Sequence, residues 1–408
     1  MRTENRSRLL LITDHFPPEQ SGGTGRTASL WRYLPEFGIE VFVITLDYYG
    51  STANETHILR YQSSLGWRKT LLSRRTISKL QDKIKSLRGS RIDRWWIRQV
   101  MNDTERIKAL NCDLVYATYP SSTALELGRL LAALLKKPLL AEFRDGLNFD
   151  PVEEISRLQT RAYLEFEKKI VSSAHSVLTI SKVISAYFRQ TYQNIRVHTV
   201  HNGFLKDDYN TVSEADPQLA DAIKIRFVHF GSLLRSRKRD ITPLFAALAL
   251  LRQEKSITPD NFQLDFIGSF TKQEKEMIQE YGLDDILRML PPMDKRAGLQ
   301  MISQNYDYLL FYGVEDTSGF ISAKLPEYLR LGKPILGICA GNEAAEIISQ
   351  TGTGEVCGFT KAEICSCFKK FIRREMRYQP NQTEISRFDR QIQTASIAEI
   401  INRIINHE

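Results

Sequence analysis

The chain has 408 residues, 42% hydrophobic and 25% charged, with 56 basic against 48 acidic side chains for a net charge of +8. That length exceeds one ordinary core and predicts two domains of roughly 200 residues each. The balance excludes a disordered or fibrous chain, and no apolar run approaches the roughly 20 residues that span a bilayer.

The opening "MRTENRSRLLLITDHF" turns from basic to apolar, as a signal sequence does. Its apolar part is only "LLLI", with no small-residue cleavage site, so it reads as a first buried strand (8–13) of a cytoplasmic protein. Further apolar runs at 40–45, 113–118, 138–143, 176–181 and 196–201 predict strands. Amphipathic stretches between them, Thr27–Phe37, Ser122–Leu135 and Val152–Ser172, predict helices. Near-continuous apolar strands alternating with helices indicate a parallel sheet covered on both faces.

Between 68 and 98 the chain carries eleven Lys or Arg against Asp82 and Asp93, enough for the whole charge excess. A charge run of this kind suits a solvated helical face. Trp95, Trp96 and five aliphatic residues interleaved with it equally suit an anionic membrane surface. No nucleic-acid recognition motif accompanies the charge.

"HNGF" (201–204) and the polar stretch after it form the best boundary. Beyond it the pattern restarts, with strands at 225–231, 262–268, 306–312 and 334–339. Helices are predicted at Pro243–Arg252, Thr271–Tyr281, Arg296–Gln304 and Asn342–Gln350. The expected organisation is an α/β chain of two doubly wound, Rossmann-like domains, 1–204 and 205–383. A helical segment, 384–408, is placed back on the first domain, and ligands are expected in a cleft at the strands' carboxyl ends. Cys112, Cys339, Cys357, Cys365 and Cys367 show no disulfide framework and no zinc spacing. They read as small buried side chains, reduced as in the cytosol.

Three stretches carry chemistry. In "SAKLPEYLRLGKPIL" (322–336) Pro326 lacks an amide hydrogen, which places the helix start near Ser322 or Ala323 with Ser322 as cap. Free amides at that end and Lys324 in the same turn favour a phosphate, and the Glu327 carboxylate can accept two sugar hydroxyls. An ordinary capped helix remains the alternative. "HFGSLLRSRKRD" leaves a strand through Gly231 and Ser232 and presents Arg235, Arg237, Lys238 and Arg239, suited to grip a diphosphate. "DHFPPEQSGGTGRTA" places Gly22, Gly23 and Gly25 between a strand end and a helix, where backbone can approach a ligand closely. It matches neither the dinucleotide fingerprint nor a Walker loop.

With "TDHFPPEQSGGTGR", "LPEFGIEVFVIT", "AEFRDG", "ISKVISAYF", "HNGF", "FGSLLRSRKRD" and "SAKLPEYLRLGKPILGI" in this order, the chain resembles GT-B-fold glycosyltransferases of the family 4-like (group 1) kind. The resemblance implies a nucleotide-diphosphate sugar donor on the C-terminal domain and a glycan or lipid-linked acceptor on the N-terminal one. Arg237 and Lys324 would be the diphosphate cations and Glu327 the ribose ligand, with Gly22, Gly23, Gly231, Ser232, Lys238 and Ser322 around the donor. It also implies retention of configuration with no metal or cofactor, and no Asp-x-Asp motif ends a strand here. The family's paired glutamates are separated by seven residues, but Gly319 stands at the first position; Glu315 and Asp316 are the substitutes. On the acceptor side stand His15, Arg26, Arg144 and Asp145, the last a candidate catalytic group; His201 shapes the linker turn. A nucleotide-sugar 2-epimerase and an inactive partner protein are the competing readings.

Overall fold

The structure is a computed structural model that describes residues 6–18, 23–47, 56–62, 92–147, 157–210, 224–232, 239–315 and 321–407. The chain forms two compact units. The first takes in residues up to Asp150, Ile155–His201 and Arg390–Glu408; the second takes in Pro151–Glu154 and Asn202–Asp389.

The first unit is built on strands β1 (Ser7–Ile12), β2 (Ile39–Asp47), β3 (Ile58–Gln62), β4 (Leu114–Tyr119), β5 (Leu139–Phe143), β6 (Ser176–Thr179) and β7 (Arg196–Thr199). They lie in the order β3-β2-β1-β4-β5-β6-β7, and every pair is parallel. Side chains alternate across such a sheet. Leu10 and Ile12 enter one core while Leu9 and Leu11 enter the other, and all four are fully buried. The last helix, Arg390–Ile405, contributes Ile397, Ala398, Ile401 and Ile404 to the second of these cores.

The second unit repeats the plan with β8 (Ile225–Phe230), β9 (Phe262–Ile267), β10 (Leu287–Leu290), β11 (Tyr308–Tyr312), β12 (Ile335–Ile338) and β13 (Gly354–Cys357). The order is β10-β9-β8-β11-β12-β13, again all parallel. Phe227 and Leu310 face one core, Val228 and Leu309 the other. Each unit is therefore doubly wound, and in each the chain reverses direction across the sheet next to the first strand of that unit. Such a switch point, between β1 and β4 or between β8 and β11, opens a crevice at the strands' carboxyl ends.

The helix Ser122–Leu135 has the predicted bounds, with Ser121 capping it through the Ala124 amide at 3.2 Å. The predicted helix Thr27–Phe37 is instead a helix Thr24–Tyr33 followed by a 3-10 turn Leu34–Phe37. Strands β3, β10 and β13, each at an edge of its sheet, escaped the sequence reading. Cys365 and Cys367 lie buried on the helix Lys361–Ile372. Of Trp95 and Trp96, the second is buried in the core and the first is exposed. The basic stretch 68–91 before them lies outside the described residues. Among the described residues no helix is long and apolar enough to cross a membrane.

Candidate functional site

In the second unit the site begins where β8 ends. Gly231 follows the strand with φ 118°, a left-handed value that favours glycine. A Cβ at Gly231 would collide with the terminal carbon and ammonium of Lys324. A Cβ at Gly268, past β9, would lie 2.7 Å from the Gly231 carbonyl carbon and 2.8 Å from the Ser232 nitrogen. Two missing side chains thus let the Gly231–Ser232 turn lie against the end of β9 and directly under Lys324. Ser232 Oγ accepts from the Ser269 amide at 3.2 Å, which pins the turn.

Lys324 opens the helix Lys324–Leu331, which ends at Gly332 with φ 68°. The expected cap is corrected here. Ala323, not Ser322, precedes the helix, and no side chain caps it; Ser322 Oγ lies 3.4 Å from the Lys324 amide. Pro326 stays within the first turn, where a missing N–H costs nothing. The Lys324 ammonium lies 3.2 Å from His229 Nε2, and His229 Nδ1 lies 2.9 Å from the Leu310 carbonyl oxygen. A carbonyl only accepts, so the proton is assigned to Nδ1, which leaves the Nε2 lone pair facing Lys324. Burial, then the charges of Lys324 and Arg239, hold His229 well below its ordinary pKa, and the ring is neutral.

Arg239 is buried, its Nε donating to the Gly313 carbonyl at 3.0 Å and its guanidinium 6.0 Å from the Tyr312 ring centroid. It braces the carboxyl end of β11. Arg235, Arg237 and Lys238 lie outside the described residues, as do Gly22, Asp316 and Gly319. Glu315 is described and exposed three residues beyond β11, at the same end of the sheet.

Glu327 is engaged rather than open. Tyr209 donates its hydroxyl to Glu327 Oε2 in a short hydrogen bond, and Lys295 Nζ lies 2.5 Å from Oε1. Lys295 also reaches Asp208 at 2.8 Å, and the Arg330 guanidinium lies 5.3 Å from the Tyr209 ring centroid. A carboxylate offers about four lone-pair positions, so each oxygen still has room for one hydroxyl. Burial and the Glu327 charge push the Tyr209 phenol well above its ordinary pKa, so it remains a donor.

The first unit has its own cluster past β1, β4 and β5. Arg144 is 5% exposed; its Nε donates to the Tyr119 carbonyl at 2.8 Å and its Nη1 to the Gly23 carbonyl at 2.9 Å. Its Nη2 is buried without a hydrogen bond. A Cβ at Gly23 would stand 3.0 Å from His15 and 3.1 Å from Arg144, so the backbone there runs close over both side chains. His15 Nε2 lies 3.7 Å from Asp14 Oδ1. Burial raises the Asp14 pKa against the opposing charges of His15 and Arg144. Asp145 sits half-buried two residues beyond β5.

Arg26 does not belong with these groups. It is 2% exposed, bound to Glu142 at 2.8–2.9 Å and to the carbonyls of His201 and Val200 at 2.8 and 3.1 Å. Burial pushes the Glu142 carboxyl up, but Arg26, Arg144 and a bond from Thr118 together hold it below its ordinary pKa. The expectation that Arg26 meets the acceptor is overturned: it is an interior tie between two strand ends and the helix that carries it. Of the residues now seen at the sites, sequence reasoning missed His229, Tyr209, Lys295 and Asp14. His229 alone left a signal, as a polar residue inside a buried strand two places before a glycine.

Residues 21–203 match the glycosyl transferase 4-like domain family. No curated protein matches the chain by sequence. Among solved structures it is similar to sucrose-phosphate synthase from Thermosynechococcus elongatus, at 15% identity over 99% of this chain and 100% of that one, TM-score 0.71. It is also similar to HepE of Anabaena in complex with UDP and glucose, at 17% identity over 97% and 100%, TM-score 0.63. A putative UDP-N-acetylglucosamine 2-epimerase from Listeria monocytogenes matches at 12% identity over 99% and 98%, TM-score 0.56. Residues 21–203 are therefore similar to the glycosyl transferase 4-like domain, within a chain that has the two-domain GT-B fold.

Proposed function

We propose that the protein is a retaining, metal-independent glycosyltransferase that moves a sugar from a nucleotide-diphosphate sugar to a glycan or lipid-linked acceptor in surface polysaccharide synthesis. The observation that carries this reading is the Lys324 ammonium set over the Gly231–Ser232 turn. That turn stands at a switch point, where the fold opens a crevice. Amides of the turn and of the helix start, with Lys324, favour a diphosphate. Arg237, Lys238, Ser322, Gly22 and Gly23 are assigned to the diphosphate, Glu327 to the ribose and Glu315 to the sugar. His15, Arg144 and Asp145 serve the acceptor.

In the reaction the bond between the anomeric carbon and the diphosphate oxygen breaks, and the acceptor hydroxyl oxygen bonds that carbon on the same face. The hydroxyl proton passes to the leaving phosphate oxygen, so no protein base is required. Lys324 and Arg237 act by stabilising charge on the departing group. The exposed Trp95, beside Arg94 and Arg98 on the helix Arg94–Asn102, supports peripheral attachment at the inner membrane face.

The UDP in the HepE complex makes uridine donors the first to test. Lys324→Ala is expected to lower kcat by about 10²–10³-fold, the scale for losing one charge-stabilising group, and the product anomer read by NMR should retain the donor's configuration. Near-wild-type turnover of K324A sinks the assignment. Conversion of a donor with no acceptor present favours the 2-epimerase reading, and nucleotide binding without any turnover favours the inactive partner.

A further inference from the structure

We infer that His229 is a positioning residue, which accepts a hydrogen bond from the Lys324 ammonium and so holds it over the Gly231–Ser232 turn, where the donor diphosphate is proposed to bind. The inference rests on the function proposed above and deepens it. Four observations carry it. The ring is 1% exposed and its Nδ1 is tied to the Leu310 carbonyl of β11 at 2.9 Å, so its orientation is set by the neighbouring strand. Its Nε2 meets Lys324 Nζ at 3.2 Å. Phe230, the next residue of β8, donates its amide to the Tyr328 hydroxyl at 2.8 Å, which ties the strand bearing His229 to the helix bearing Lys324. Gly231, between them, has no Cβ where the ammonium lies.

Fixing a lysine side chain in advance of the ligand tightens binding by the rotamer entropy already lost. An imidazole lone pair can fix an ammonium without itself bringing an opposing charge. Among the described residues the charged groups that act on the ring are Lys324 and Arg239, and the Phe266 ring lies 6.1 Å away. Protonating His229 would set a third cation beside two others in a buried site, so the ring stays an acceptor as the pH falls.

The test compares full-length wild type, His229→Phe, which removes the acceptor, and His229→Gln, which keeps one near the position of Nε2. Calorimetric titrations with UDP and with uridine, and thermal unfolding of each variant, give the readouts. H229F is expected to weaken UDP binding about tenfold and leave uridine binding unchanged, H229Q to recover most of the loss, and H229F to add nothing in a K324A background. H229F binding UDP as wild type does, or losing uridine equally, overturns the inference while leaving the donor assignment standing. A wild-type chain that binds no UDP overturns the proposed function instead. Nitrogen-15 NMR of the ligand-free chain then still decides the pairing. A His229 neutral with its proton on Nδ1 from pH 8 to 5 supports it; a ring that titrates in that range, or is protonated on Nε2, sinks it.

Discussion

Two cations stand near strand ends in the two units, and they are held in opposite ways. Arg26 in the first unit is closed in by the Glu142 carboxylate and two backbone carbonyls. Lys324 in the second meets the neutral imidazole of His229 and lies in the space over a glycine. An arginine so enclosed has its charge cancelled and its donors consumed, and its work is cohesion. An uncharged acceptor beside a lysine, by contrast, cancels none of its charge. The partner, more than the residue type, separates a structural cation from a ligand-binding one.

The comparison breaks most visibly at Arg26. Arg26→Met leaves Glu142 charged and buried and is expected to cost about 3–5 kcal/mol, read by urea unfolding. A loss below about 1 kcal/mol would mean the pair is not what closes the first unit. The same pair fixes the acid response. The folded-state pKa of Glu142 lies below its unfolded value of 4.5, so its contribution is fully present above that pH and is lost as pH falls through the folded value. Unfolding midpoints should therefore drop more steeply below pH 4.5 in wild type than in Glu142→Gln; equal slopes would remove Glu142 from the acid limb.

In the second unit Gly268→Ala drives a Cβ against the Gly231–Ser232 backbone. It is expected to cost about 1–3 kcal/mol, the range for overpacking, and to weaken UDP binding as the turn shifts under Lys324. Unchanged UDP affinity would show that the turn does not line the site. Tyr209→Phe, the smallest change, removes one hydrogen bond to a charged acceptor, worth about 1.5 kcal/mol. If Glu327 holds the ribose, uridine affinity should change while inorganic pyrophosphate affinity does not; titrations with both probes separate the two.

Central strands were legible because burial on both faces leaves continuous apolar runs such as "LLLI" and "FVIT". Of the four edge strands only β7 was. β13 is only partly buried along its whole length and β10 has just one buried residue, so neither shows a run to read. Lys324 and Glu327 were legible from Pro326, which allows few helix registers. Arg26 was misread because a glycine-rich loop before a helix looks the same whether the next cation faces ligand or interior. Its partner is 116 residues away, and local pattern carries no record of such a distance. Tyr209 and Lys295 were invisible for the same reason, being brought to Glu327 from separate elements.

By itself the sequence determined which segments must be buried, where the helix of Lys324 begins to within two residues, and that glycines stand at the strand ends. Those follow from local rules of solvation and backbone sterics. Only the tertiary structure decided that a carboxylate closes on Arg26 and an imidazole meets Lys324, because those partners come from strands far away in the sequence.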